Sequence, residues 1–275
     1  MKKIGIACIL FFGGILSAFA DAPDLSTYFT GKTACFILFD MQANKVIATY
    51  GADRCAQRIS PFSTFKIPLS LMAFDRELIT QQTVFKWNHQ DRSLDVWNQD
   101  QTPHLWLKNS VVWVSQMLTP QLGLATIKNY LAKFKYGNQD FSGDLGKNNG
   151  LKQAWLGSSL KISGDEQLAF LKDFATNAFS LSSDAIDNTK ENMYVGDSPT
   201  GWKLYLKTGS GSVVEDTTQS QKRRVAWCIG FVEKAGEKYI VVLNFLDSHI
   251  ADGLTPAGPE ARKMVEAILT HMHPS

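Results

Sequence analysis

The sequence is poor in cysteine, poor in histidine and free of any strong excess of charge of one sign. Its 28 basic and 26 acidic residues leave a formal charge of +2, which implies neither a nucleic acid nor an acidic membrane surface as partner. There is no block of like charges, and Lys222-Arg223-Arg224 reads as a solvated turn. The four cysteines match no zinc-site spacing, and the five histidines include no H-E-x-x-H, so no metal is expected. His271 and His273 sit where a terminal helix would fray. Internal repeats and low-complexity linkers are missing, and beyond residue 20 no stretch is long and apolar enough to cross a bilayer.

The one extended apolar run lies at the start. Lys2 and Lys3 precede an apolar stretch from Ile4 to Leu16, and Ala18-Phe19-Ala20 supplies a small-x-small cleavage pattern. This run is shorter than the roughly 20 residues a spanning helix needs, so it reads as a secretory signal cut near Ala20. A periplasmic protein without stable membrane association is the expectation, as a monomer or homodimer. Cys8 would leave with the signal, and Cys35, Cys55 and Cys228 would remain. In an oxidising compartment an odd number leaves at least one thiol free or intermolecular. Cys35 and Cys55 flank an apparent hairpin, and either a bridge or two buried apolar thiols fits them.

What is present is the composition of a folded domain, 44% hydrophobic and 20% charged. Ala34 to Asp40 and Lys45 to Tyr50 read as strands of a hairpin. Helical patterns follow from Ser63 to Leu78, Ser110 to Leu118 and Leu122 to Phe134, the last stopped at Tyr136-Gly137-Asn138 by a left-handed glycine. Ser163-Gly164-Asp165-Glu166 has the form of a capping box opening a helix through Phe174. Lys203 to Thr208, Arg224 to Glu233 and Lys238 to Phe245 are strand-like, with Ala235-Gly236 as a turn, before a final amphipathic helix from Pro259 to Met272. Strands at both ends and helices between predict an α+β fold. Its antiparallel sheet, flanked by terminal helices, would be built from about 21–60 and 200–275, with a helical lobe inserted over about 61–199.

Two short patterns carry chemistry. Ser63-Thr64-Phe65-Lys66 places a hydroxyl and an amine three residues apart, on one face of a helix. A serine needs a neighbouring base to become a nucleophile, and a lysine serves only where its charged form is disfavoured. The apolar Phe62, Phe65 and Ile67, with the positive end of the helix dipole, point that way. Ser158-Ser159-Leu160-Lys161 repeats the spacing and is read as incidental. Lys207-Thr208-Gly209 on a late strand offers a cation for a carboxylate and a glycine that permits close approach of an amide.

Taken with an export signal, S-x-x-K and K-T-G describe penicillin-recognising serine acylases. The chain resembles the class D β-lactamases, the oxacillinases, in Ser63-Thr64-Phe65-Lys66, Ser110-Val111-Val112, Tyr136-Gly137-Asn138, Trp155-Leu156-Gly157 and Lys207-Thr208-Gly209-Ser210, which follow the family's order. The S-x-V element in place of S-D-N, and Y-G-N, separate class D from class A. The resemblance implies a penicillin-binding-protein-like fold and hydrolysis of β-lactams through an acyl-enzyme on Ser63. It implies carbon dioxide, or bicarbonate, as the reagent that carboxylates Lys66 into the general base, with Trp155 donating its indole N–H to the carbamate. Ser110, between Ser63 and Lys207, would pass a proton to the lactam nitrogen, although a serine there also fits an N-cap for a helix starting at Val111. The N–H groups of Ser63 and Ser210 would form the oxyanion hole. Val112, Lys207, Thr208, Gly209, Ser210 and Arg262 would contact substrate, with Arg262 the best match to the family's carboxylate anchor. Tyr136 and Asn138 would shape the site, and Glu166 is accounted for by its cap. Phe62 departs from the smaller or acidic residue expected before the nucleophile.

Overall fold

The segment Lys32–Asp40 has no polar alternation in its middle, and a strand of that kind needs cover on both faces. It receives it: from Ala34 to Phe39 every residue is buried. Cys35, Ile37 and Phe39 face one apolar core, while Ala34, Phe36 and Leu38 face another. The computed structural model describes residues 24–214, 222–250 and 255–272; the expected signal segment lies outside these.

Six antiparallel strands form one sheet in the order β2-β1-β6-β5-β4-β3. They are β1 (Lys32–Asp40), β2 (Lys45–Tyr50), β3 (Tyr194–Asp197), β4 (Lys203–Val214), β5 (Lys222–Lys234) and β6 (Glu237–Ile250). The hairpin expected at Ala235-Gly236 joins β5 to β6, both turn residues having positive φ. β1 pairs with β6, so the two ends of the chain meet at the middle of the sheet. Lys222-Arg223-Arg224 is not a turn: it opens β5, and Arg224 pairs with Asp247 and Glu260.

Eight helices lie between β2 and β3 in the sequence: α1 (Ala52–Cys55), α2 (Lys66–Asp75), α3 (Pro103–Lys108), α4 (Val112–Leu122), α5 (Leu124–Lys133), α6 (Gly150–Gln153), α7 (Gly164–Ala175) and α8 (Ser183–Asn192). They share the larger core with one face of the sheet. The final helix α9 (Gly258–Thr270) covers the opposite face with the Leu25–Phe29 turn. The inserted lobe and the flanking terminal helix are thus as expected. The short β3, α3 and α8 lay unread in the sequence, α8 because it is mostly polar and β3 and α3 because four and six residues are too few to show a period.

Cys35 and Cys55 are joined in a disulfide, with Cα atoms 4.8 Å apart. This decides between the two readings of the pair and leaves Cys228 as a free, buried thiol among the described residues. The bridge passes under the start of α7, where a Cβ on Gly164 would stand 2.6 Å from Cys35 Sγ. The capping box at Ser163 is complete, its hydroxyl and the Glu166 carboxylate each taking a backbone N–H.

Candidate active site

Ser63 does not sit in a regular α-helix. It lies in a 3-10 turn, Phe62–Phe65, which feeds into α2 at Lys66. The three-residue spacing still brings the side chains together, and Lys66 Nζ donates to Ser63 Oγ at 3.1 Å. Lys66 is wholly buried, and Ser63 keeps 9% of its surface. Burial drives the lysine well below the ordinary amine range, and the charge of Lys207 pushes the same way. A neutral amine beside a serine hydroxyl is the state in which lysine acts as a base or as a nucleophile.

Lys207 reaches the same cluster from β4. Its Nζ donates to Ser110 Oγ at 2.5 Å and to the Thr208 carbonyl at 3.0 Å, and burial pushes its pKa down to about 7. Ser110 occupies the turn between α3 and α4 with φ 55°, a left-handed conformation uncommon for serine. It is not the N-cap that its sequence position allowed. Val111 is the cap, α4 begins at Val112, and the Ser110 hydroxyl is turned to Lys207 instead. Val112, half-buried, opens that helix two residues beyond Ser110.

Trp155 is fully buried against Phe65 and Phe141, with ring centroids 5.3 and 5.9 Å away. Its indole N–H has no partner among the described residues. An unmet buried donor costs about 1–3 kcal/mol, so such a group asks for an acceptor at that place. Tyr136 stacks edge-on to Phe65 and its hydroxyl accepts from Gln167, while Asn138 Nδ2 donates to the Ser159 carbonyl. Gly137 has φ 54°, and a Cβ there would collide with the Lys161 carbonyl.

The edge of β4 explains Ser210. The Leu206 N–H points away from β5, to the Met193 carbonyl, and β3 pairs with β4 only as far as Tyr205. Backbone direction alternates by two, so the N–H groups of Thr208 and Ser210 point to the same side. There no described strand meets them. The Ser210 side chain is engaged elsewhere, accepting from the Gly258 N–H at 2.8 Å. Gly209 runs close to the turn that carries the nucleophile, since a Cβ there would stand 3.0 Å from the Pro61 carbonyl and 3.4 Å from Thr64 Cγ2.

Arg262 lies one turn after Gly258 on α9. Its guanidinium is taken by Glu266 at 2.7 Å and approaches the Val195 carbonyl at 3.5 Å. Lys207, not Arg262, is the cation that stands with Ser110. Glu166 is fully occupied by its cap and by Arg58. Sequence reading missed the role of Gly258, whose lack of a side chain lets α9 rest on Thr208 and Ser210; no local pattern announces it. Among the described residues no group of three or more His, Cys, Asp or Glu is placed to hold a metal, and no helix is long and apolar enough to cross a membrane.

A buried Ser-Lys pair beside a Lys-Thr-Gly sheet edge defines a serine acyl-transfer domain of the penicillin-recognising kind. In agreement, residues 34–266 match the penicillin binding protein transpeptidase domain family. The chain is 44% identical to β-lactamase OXA-1 of Escherichia coli, over 98% of both chains. Among solved structures, the OXA-427 class D β-lactamase superposes with a TM-score of 0.76 at 34% identity, over 86% of this chain and 97% of that one. The C-terminal domain of the Bacillus licheniformis BlaR penicillin-receptor gives 0.76 at 28% identity, over 91% and 96%. The chain belongs to the class D β-lactamases of this family.

Proposed function

We propose that this enzyme opens the amide of β-lactam antibiotics through an ester on Ser63, with Lys66 at the origin of its general base. The observation that carries the reading is the wholly buried Lys66 Nζ, 3.1 Å from Ser63 Oγ. Carbon dioxide added to the neutral Lys66 amine would supply a carboxylate base there, and the unpartnered Trp155 indole N–H is the donor suited to hold it. Ser63 Oγ attacks the lactam carbonyl as its proton leaves toward Lys66. The N–H groups of Ser63 and Ser210 take the oxyanion. Ser110, poised by Lys207, passes a proton to the departing nitrogen. Lys207 and the unpaired edge at Thr208, Gly209 and Ser210 bind the substrate carboxylate and amide, while Val112 limits water near Lys66. Water then hydrolyses the ester and frees Ser63. Export to the periplasm, proposed from the first twenty residues, would bring the enzyme to its substrate.

The likeness to a penicillin-receptor domain favours one alternative, a sensor that acylates and scarcely deacylates. Penicillin hydrolysis by the purified protein, with and without bicarbonate and with mass spectrometry of Ser63, separates the two. Sustained turnover that rises with bicarbonate is expected. A stable adduct without turnover, bicarbonate included, would establish the sensor.

A further inference from the structure

Phe62, immediately before the nucleophile, has φ 47°, a genuine outlier for a bulky side chain. Strain of this kind persists only where the surroundings hold it. Here the holding contact is with β4: the buried Phe62 ring lies on Gly211 so closely that a Cβ on that glycine would stand 2.0 Å from Phe62 Cε1. Gly211 is in ordinary extended backbone paired with Val225, so only the ring requires a glycine there. A Cβ on Gly157 would stand 3.6 Å from the same ring. Gly157 and Ser212 also border a cleft of about 790 Å³ that carries Arg54, Arg58, Lys161 and Lys222.

The contact joins two chain positions that matter to each other. Phe62 precedes the Ser63 N–H, and Gly211 follows Ser210. The ring therefore fixes the spacing between the strained turn and the sheet edge, which carry the two amide donors. We propose that Phe62 is a positioning residue: seated on Gly211, its ring sets the separation and aim of the Ser63 and Ser210 N–H groups toward the developing oxyanion. The proposal rests on the assignment of those donors above.

The test uses the full enzyme, penicillin and a boronic acid that forms a tetrahedral adduct with a nucleophilic serine. Phe62→Ala is expected to lower kcat about 10- to 100-fold with KM within about threefold, since donors are misaligned while ground-state binding remains. Boronate affinity should fall in parallel with kcat. Gly211→Ala alone, whose new methyl must displace the ring, should do the same. The double variant should be no worse than Phe62→Ala, because both changes break one contact. Thermal unfolding of each variant separates this from loss of folded protein. A kcat for Phe62→Ala within threefold of the parent, or fully additive losses in the double variant, would overturn the proposal. Absence of a Ser63 adduct in the parent enzyme would instead overturn the assignment of the donors, and the positioning role with it.

Discussion

Lys207 and Ser110, 97 residues apart in the chain, meet across the seam between the sheet and the helical lobe, Nζ donating to Oγ at 2.5 Å. Because the hydroxyl oxygen accepts from the lysine, its own proton is free to point into the site. That is the arrangement of a proton relay rather than of a helix cap. Ser110→Ala should therefore lower kcat for penicillin by about 10²- to 10⁴-fold, the range of a positioned acid or base. Stopped-flow ring opening would measure it, and a near-parental rate would remove Ser110 from the proton path.

Lys66 is held at an energetic cost, since burial disfavours its charge and Lys207 adds to the repulsion. Lys66→Met keeps an unbranched side chain one atom shorter and removes the amine. Turnover should disappear while the thermal midpoint rises, by about 2–4 °C for each kcal/mol recovered in a chain of this size. A lowered midpoint in calorimetry would mean that the bond to Ser63 contributes more than burial costs.

Stability should also climb with pH, for a reason that Lys207 makes explicit. Its pKa is about 7 in the folded enzyme, against about 10.4 for an unfolded lysine. Between these values the unfolded chain binds more protons than the folded one, so unfolding becomes harder as pH rises, by up to about 1.4 kcal/mol per pH unit per proton. Below about 7 the lysine is protonated in both states and its contribution is constant. Urea midpoints from pH 7 to 9.5 should rise more steeply in the parent than in Lys207→Met; parallel curves would refute the depressed value.

The disulfide closes a separation of 20 residues leading toward the nucleophile turn. On the chain-entropy account a loop of this size is worth about 3 kcal/mol. The Cys35→Ala/Cys55→Ala variant should melt roughly 6–12 °C lower. A change below about 1 kcal/mol in denaturant titration would show that the bridge adds little to the packing around Gly164.

Arg262 spends its guanidinium on Glu266. Arg262→Ala should leave KM for penicillin within about threefold, whereas Lys207→Ala should raise it about 10-fold or more, the worth of a charge-assisted bond. Equal increases in the two variants would make Arg262 a carboxylate anchor after all.

The core strands, the α7 capping box and the proximity of Ser63 and Lys66 were legible because each depends on residues a few positions apart; the stop of α5 was not, since Lys135 with φ 49°, and not Gly137, is the left-handed residue that closes it. Apolar runs require burial, a hydroxyl three residues before a glutamate caps a helix, and a spacing of three puts a serine and a lysine on one face. Local patterns thus determined, from the sequence alone, the α+β architecture and the nearness of Ser63 to Lys66, whereas preferring that pair over Ser158 and Lys161 needed the resemblance to a family. The tertiary structure decided what depends on distant partners: that Cys35 meets Cys55, that Ser110 turns to Lys207 and leaves the cap to Val111, that Trp155 keeps an unmet N–H, and that the Phe62 ring rests on Gly211. The disulfide, the Ser110–Lys207 bond and the Phe62–Gly211 contact each join segments roughly 20 to 150 residues apart. No local propensity encodes such a contact, because its free energy exists only once the sheet and the inserted lobe have closed on each other.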